Sequence, residues 1–251
     1  MNLISTYDGQ DAAGLGSLLQ IQQHLYAFCR MTDNTFVFPG FSNLSHYQYT
    51  NQTQKEFCDS INSFVGFQTS VVEDTDVVDE GYLIKAWGET YNNEKRPFIQ
   101  ELFSKLSYDG DLFFTEGVKS IAVHIRAWNP QDNCKHPDRE YFHKGGLKEK
   151  YYDNLLETLV DDTTEVHIFS QGAEEDFSLF ARKYGAKLHL DEDILSTLYH
   201  LITADYLVSS NSSLSWCAHL YGQNKKVFAR DNFFHSWYSD TIMVEQDGSL
   251  K

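Results

Sequence analysis

Apolar and polar positions alternate at two different periods along the second half of the chain. Residues 120–126 (SIAVHIR) and 165–170 (EVHIFS) are short, β-branched and continuous, the pattern of strands buried on both faces. Between them, residues 147–160 (LKEKYYDNLLETLV) space their apolar side chains as a helix does. A helix is predicted over 173–185, with acids in its first turn, Arg182 and Lys183 in its last, and Gly185 as its C-cap. A strand over 187–190 and a helix over 193–203, with Asp193 at the N-cap, come next. The pattern closes with a strand over 206–210, a helix over 212–222 ending on Gly222, and a last strand over 226–229. This βαβαβαβαβ order predicts a parallel sheet covered by helices on both faces.

The first half shows the same alternation in smaller form. Strands are predicted over 2–7, 35–38 and 82–87, and helices over 16–30, 54–67 and 97–108, the last opening on Pro97. Residues 40–52 form a polar loop. The boundary falls within 110–118, dividing the chain into an N-terminal lobe, 1–115, and a C-terminal lobe, 116–251. Two α/β lobes facing each other would leave a cleft, and open α/β sheets bind ligands beyond the carboxyl ends of their strands.

Composition narrows the field. The chain has 251 residues, enough to bury a sizeable core, with ordinary globular proportions of 41% hydrophobic and 22% charged residues. No apolar run reaches the roughly 18 residues of a membrane span, and "MNLISTYDGQ" lacks a basic region followed by an apolar one, so a soluble, cytoplasmic protein is expected. Cys29, Cys58, Cys134 and Cys217 lie far apart with no CxxC spacing, against a zinc site or a disulfide framework. The ten histidines include no HExxH or tight cluster, and His136 and His143 read as surface residues; no metal site is expected. A net charge of −16 argues against nucleic acid as a partner and leaves any anionic ligand to a few local donors.

Three polar stretches fall at predicted carboxyl ends. In VHIRAWN, the two-residue period puts His124 and Arg126 on one face, and about twenty irregular residues follow. Ser170, Gln171 and Gly172 close the next strand. Ser210, Asn211, Ser212, Ser213 and Ser215 sit where a strand passes into a helix, where free N–H groups and the helix dipole favour an anion. Each stretch also has a plain structural reading, as an ion pair or a polar turn. Arg126 together with the serine-rich turn suggests a diphosphate pocket. Near the N-terminus, Gly14 and Gly16 in AGLGS form a tight turn or approach a ligand closely.

The order GLGSLLQ, VHIR, YY, FS and ILSTLYHLITADYLVSSNSSLSWCAHL resembles the GDP-fucose-dependent α-1,2-fucosyltransferases and their α-1,6 relatives. Those families share a Gly-Gly-Leu-Gly-Asn turn, a His-x-Arg-x-x-Asp motif and a late Ser-x-Phe-Ser-Trp-Trp segment. The likeness covers most of the chain and is strongest over 120–222. It implies a GT-B-like fold of two Rossmann-like lobes and an inverting transferase that moves fucose from GDP-fucose, its nucleotide-sugar donor, to a glycan acceptor. It further implies that Arg126 holds the donor diphosphate and that Ser210 to Ser215 with Trp216 flank it. Three positions depart from the families: Asn129 replaces the motif aspartate, AAGLGS replaces the glycine turn, and Cys217 replaces the second tryptophan. These changes leave open another donor, such as a xylose or rhamnose nucleotide, and a non-catalytic binding module of the same fold. For the general base, Asp132 and Asp138 are the candidates, with Asp8 and Asp11 as alternatives. No cofactor or metal is implied.

Overall fold

A computed structural model describes residues 1–5, 13–47, 50–70, 72–78, 89–126, 147–230 and 238–251, except for the side chains of 89–92 and 147–148. The chain divides into two compact units. The first comprises 1–109, 216–222 and 234–239, and the second 110–215, 223–233 and 240–251.

In the first unit, β1 (Asn2–Ser5) is flanked by β2 (Thr35–Phe36) and β3 (Asp76–Val78), all parallel. Helix α1 (Leu15–Met31) lays Ile21, Leu25 and Cys29 against Leu3 of β1. Helix α2 (Gln54–Phe64) opens on a capping box in which Thr53 and Glu56 satisfy each other's backbone donors. The strand expected over 82–87 lies outside the described residues. Helix α3 runs Glu89–Glu101, so Pro97 sits inside a helix rather than at its start. A proline ring already holds a helical φ, and the loss costs one backbone bond. The helix continues because Ile99 and, in the short 3₁₀ turn after it, Leu102 are fully buried. Sequence periodicity also missed β3, whose Val77 is exposed, so the run has no apolar face to read.

In the second unit, six parallel strands are found among the described residues, in the order β6-β5-β4-β7-β8-β9. They are β4 (Lys119–His124), β5 (Thr164–Ser170), β6 (Lys187–Leu190), β7 (Tyr206–Val208), β8 (Lys226–Arg230) and β9 (Ile242–Val244). The connecting helices are α4 (Leu147–Leu159), α5 (Ser178–Tyr184), α6 (Ile194–Thr203) and α7 (Ser213–Tyr221). Gly185 caps α5 in the left-handed region, and Asp193 caps α6 by accepting from the N–H groups of Leu195 and Ser196, as the sequence predicts. β9 was missed, being three residues at a sheet edge.

Tyr151, Tyr152, Leu155 and Leu156 of α4 and Phe180 of α5 pack on one face of the sheet with Val123, Ile168, Val208 and Phe228. His200 of α6 meets the other face through Phe169. The structure is thus α/β, built on two parallel-sheet units, and strand order in the second is the doubly wound 3-2-1-4-5-6 arrangement.

The opposite face carries a stack of aromatic and imidazole rings. Phe113 lies between His189 and His200, with centroids 4.4 and 4.1 Å away. His200 Nδ1–H donates to Ser196 O at 2.7 Å, which leaves Nε2 as the acceptor for Phe113 N–H at 3.0 Å. His167 and His189 share a proton between ring nitrogens 2.9 Å apart. His167 Nε2 is 3.3 Å from Glu165 Oε1, near enough for charge attraction but not aligned as a hydrogen bond. Burial lowers His167 and His189 from 6.5 to about 4, and lowers His200 as well.

The unfolded chain therefore binds more protons than the folded one between those values. Stability from the stack is full above about pH 6.5 and is lost as pH falls toward 4. Urea midpoints measured from pH 7 to pH 4.5 should fall steadily, and His189→Phe, which keeps the stacking, should flatten that slope. An identical slope in the variant would contradict this account of the stack.

Candidate functional site

The site is built where the sheet changes direction. From β4 the chain crosses through α4 to β5 on one side, and from β7 it crosses through α7 to β8 on the other. The carboxyl ends of these adjacent strands are the topological switch point, where doubly wound sheets hold their ligands.

His124 ends β4, one residue past the Val123–Val208 pair, and is buried, as is Ser209 just after β7. Its Nδ1 lies 2.5 Å from Ser215 Oγ and 3.0 Å from Ser210 Oγ. The two hydroxyls are 3.2 Å apart, and Ser210 N–H donates to Ser215 Oγ at 3.3 Å. Burial first, and the positive charge of Arg126 second, push the imidazole down to about 3. His124 is thus neutral at physiological pH, and its work is to fix the turn between β7 and α7. Its own carbonyl accepts from Tyr152 Oη at 3.3 Å.

Arg126 follows two residues on, half-buried, with its charge felt at His124. Ser170 Oγ donates to Ile125 O at 2.8 Å and ties the end of β5 to the same edge. Gln171 is half-buried, and Gly172 has a φ of 120°, which disfavours any side chain there. Within the serine-rich turn, Ser210 and Ser215 point inward, Asn211 is exposed, and Ser212 and Ser213 are half-buried. Ser212 Oγ accepts from Leu214 N–H at 3.2 Å, using one first-turn donor of α7. The Ser209 hydroxyl is buried and finds no partner among the described residues. Sequence reading passed over Ser209, Tyr152 and Tyr151, although the YY doublet marks the last two.

The other candidates belong to the first unit or lie outside the described residues. Trp216 groups with the first unit, where its buried indole lies 5.7 Å from the His219 ring. Gly14 and Gly16 belong there too. A Cβ on Gly14 would come within 2.9 Å of the His46 ring, so that imidazole would have to move, while Gly16 O accepts from Cys217 Sγ at 3.2 Å. Asn129, Asp132 and Asp138, and likewise Asp8 and Asp11, lie outside the described residues. Among the described residues no three His, Cys, Asp or Glu side chains converge as a metal site, and no helix is long and apolar enough to cross a membrane.

Strand order and edge chemistry define the second unit as a doubly wound α/β unit with its candidate ligand edge at His124, Arg126 and residues 209–215. No family model matches the chain, and no curated relative matches it in sequence. Among solved structures it is similar to the fucosyltransferase NodZ from Bradyrhizobium, with a TM-score of 0.44 and 11% identity over 90% of this chain and 94% of that one. The heptosyltransferase WaaC of E. coli, solved with ADP-2-deoxy-2-fluoro heptose, aligns with a TM-score of 0.46 and 13% identity over 98% of this chain and 94% of that one. Both scores lie below 0.5, and the assignment of the site rests on the chain's own topology and residues.

Ser215→Ala should lower the unfolding free energy by about 1–3 kcal/mol, because it strands buried partners at His124 and Ser210. Asn211→Ala, on the exposed side of the same turn, should stay within about 0.5 kcal/mol. Urea unfolding of both variants checks this; equal effects would show that the inward hydroxyls do not organise the turn.

Proposed function

We propose that the chain is a glycosyltransferase that binds a nucleoside diphosphate sugar over the carboxyl ends of β4 and β7. The observation that carries this reading is the switch-point cluster. A cation, Arg126, stands beside a turn whose inner serines are held by a neutral histidine, at the edge where doubly wound sheets place phosphates. The resemblance to the fucosyltransferases favours fucose from GDP-fucose as the transferred group and a glycan hydroxyl as acceptor.

In the reaction, the acceptor oxygen forms a bond to the anomeric carbon from the face opposite the diphosphate. The bond to the diphosphate oxygen breaks, its electron pair leaves with the nucleotide, and the configuration inverts. Arg126 and the remaining N–H donors at the start of α7 stabilise the charge that develops on the leaving group. The acceptor proton passes to a carboxylate, with Asp132 and Asp138 as candidates and Asp8 and Asp11 as alternatives. His124 does not take it, since its ring is buried and Nδ1 is occupied by two hydroxyls. Asp193 spends its carboxylate on the α6 cap, and transfer proceeds without a divalent ion. A second reading, a binding module without turnover, is favoured by one observation: Asn129 stands where the families' motif carries aspartate.

Arg126→Ala should leave the circular dichroism spectrum unchanged and weaken nucleoside diphosphate binding by about 2–5 kcal/mol, the cost of stranding a charge-assisted contact. Titration calorimetry with a panel of nucleoside diphosphates reads this directly, and near-normal affinity would overturn the site. Donor hydrolysis without acceptor should persist after exhaustive EDTA treatment. Activity lost to chelator and restored by Mn²⁺ would contradict the metal-free mechanism, and donor binding with no hydrolysis or transfer would favour the module.

A further inference from the structure

Charges are distributed unevenly between the two ends of the large sheet. At the amino ends, every lysine that opens a paired position has a carboxylate or a ring. Lys119 meets Asp161 at 3.4 Å, Lys187 meets Glu165 at 2.8 Å, and Lys225 meets Asp205 at 2.7 Å, while Lys226 lies over Tyr206. At the carboxyl end of β8 the situation differs. Arg230 has no carboxylate and no hydrogen-bond acceptor among the described residues, in a chain with 36 acidic side chains. Among the described residues it lies over the ring of Tyr151, whose centroid is 5.5 Å from the guanidinium carbon.

Tyr151 is itself incomplete. It comes from the second turn of α4, is 2% exposed, and its hydroxyl has no partner among the described residues. Burial raises this phenol well above its usual range, and only the charge of Arg230 works the other way. A guanidinium fork without an acceptor among the described residues thus lies over the ring of a tyrosine whose buried hydroxyl has no partner among them either. Leaving such groups unpaired is costly, and the ligand that satisfies both is an oxyanion. The location fits. Phe228 packs toward α4, and Arg230, two residues on, keeps that face, at the end of the strand next to β7. The ends of β4 and β8 are two ladder spacings apart, about 10 Å; Val123, Val208 and Phe228 share the α4 face, so Arg230 reaches the carboxyl edge from that face and Arg126, on the face of His124, from the opposite one.

We propose that Arg230 and the Tyr151 hydroxyl form a second oxyanion subsite at the carboxyl end of β8, which takes one phosphoryl group of the bound nucleoside diphosphate while Arg126 serves the other. This rests on the reading of the edge as a nucleotide-sugar site and deepens it. Two guanidinium groups, one per phosphoryl group, supply the neutralisation that a divalent ion provides elsewhere, and they make the site prefer diphosphates to monophosphates.

The test compares wild type, Arg230→Gln, Arg230→Lys and Tyr151→Phe by calorimetry with a nucleoside diphosphate, the matching monophosphate and inorganic pyrophosphate. Wild type should bind the diphosphate at least tenfold more tightly than the monophosphate. Arg230→Gln should abolish that preference while changing monophosphate affinity less than twofold, and Arg230→Lys should restore part of it. Tyr151→Phe, which keeps the packing and the ring under the guanidinium, should weaken diphosphate and pyrophosphate binding about three- to tenfold. Unchanged diphosphate preference in Arg230→Gln and Tyr151→Phe would overturn the subsite and leave the nucleotide reading standing, with Arg230 a packing residue. Should no nucleotide bind wild type while pyrophosphate does, and does so only with Arg230 present, the subsite would stand and the nucleotide reading would fall. Binding of none of the three ligands to wild type would overturn both.

Discussion

One ring nitrogen holds the carboxyl edge of the large sheet together. His124 Nδ1 is within hydrogen-bonding distance of both Ser210 and Ser215, which brackets the turn from β7 into α7 and anchors it to the end of β4. Burying an imidazolium there would cost far more than the two contacts return, so the group stays neutral and the turn keeps one geometry. Arg126, two residues on and half-buried, adds its positive charge to the burial that keeps His124 neutral.

Charge and polarity are sorted along the strands accordingly. The amino ends carry ion pairs that neutralise themselves, and the carboxyl ends carry arginines and hydroxyls. A protein with a net charge of −16 repels anions at long range. The proposed site answers this repulsion locally, with two guanidinium groups, a helix start and several hydroxyls at one edge of the sheet. The stack of Phe113, His167, His189 and His200 sits on the other side of this sheet and is a stability element, with the pKa of each of its three histidines lowered by burial.

Much of the second unit was legible in the sequence, because strands buried on both faces are continuous apolar runs and their helices carry explicit signals, Asp193 at a start and Gly185 at an end. Short edge strands were not. β3 has too little burial and β9 too few residues to show a period. Pro97 misled because a proline fits both the first turn and, at the cost of one bond, the interior of a helix held by Ile99. The serine-rich turn was visible as a cluster, but which hydroxyls face inward depends on His124, ninety residues away in sequence, so Ser212 and Ser213 read as equals of Ser210 and Ser215. Arg230 carries no local signal and the YY doublet gives Tyr151 a place but no role, since what marks both is that guanidinium and hydroxyl find no acceptor or partner among the described residues.

The central claim is that the carboxyl ends of β4 and β7 hold a diphosphate. A crystal structure of the protein grown with a nucleoside diphosphate tests it most directly. The account predicts phosphoryl oxygens within about 3.5 Å of the Arg126 guanidinium and of a donor in residues 209–215, with the His124 contacts to Ser210 and Ser215 intact. A diphosphate bound away from this edge, or one seated there only after His124 has released both serines, would contradict it.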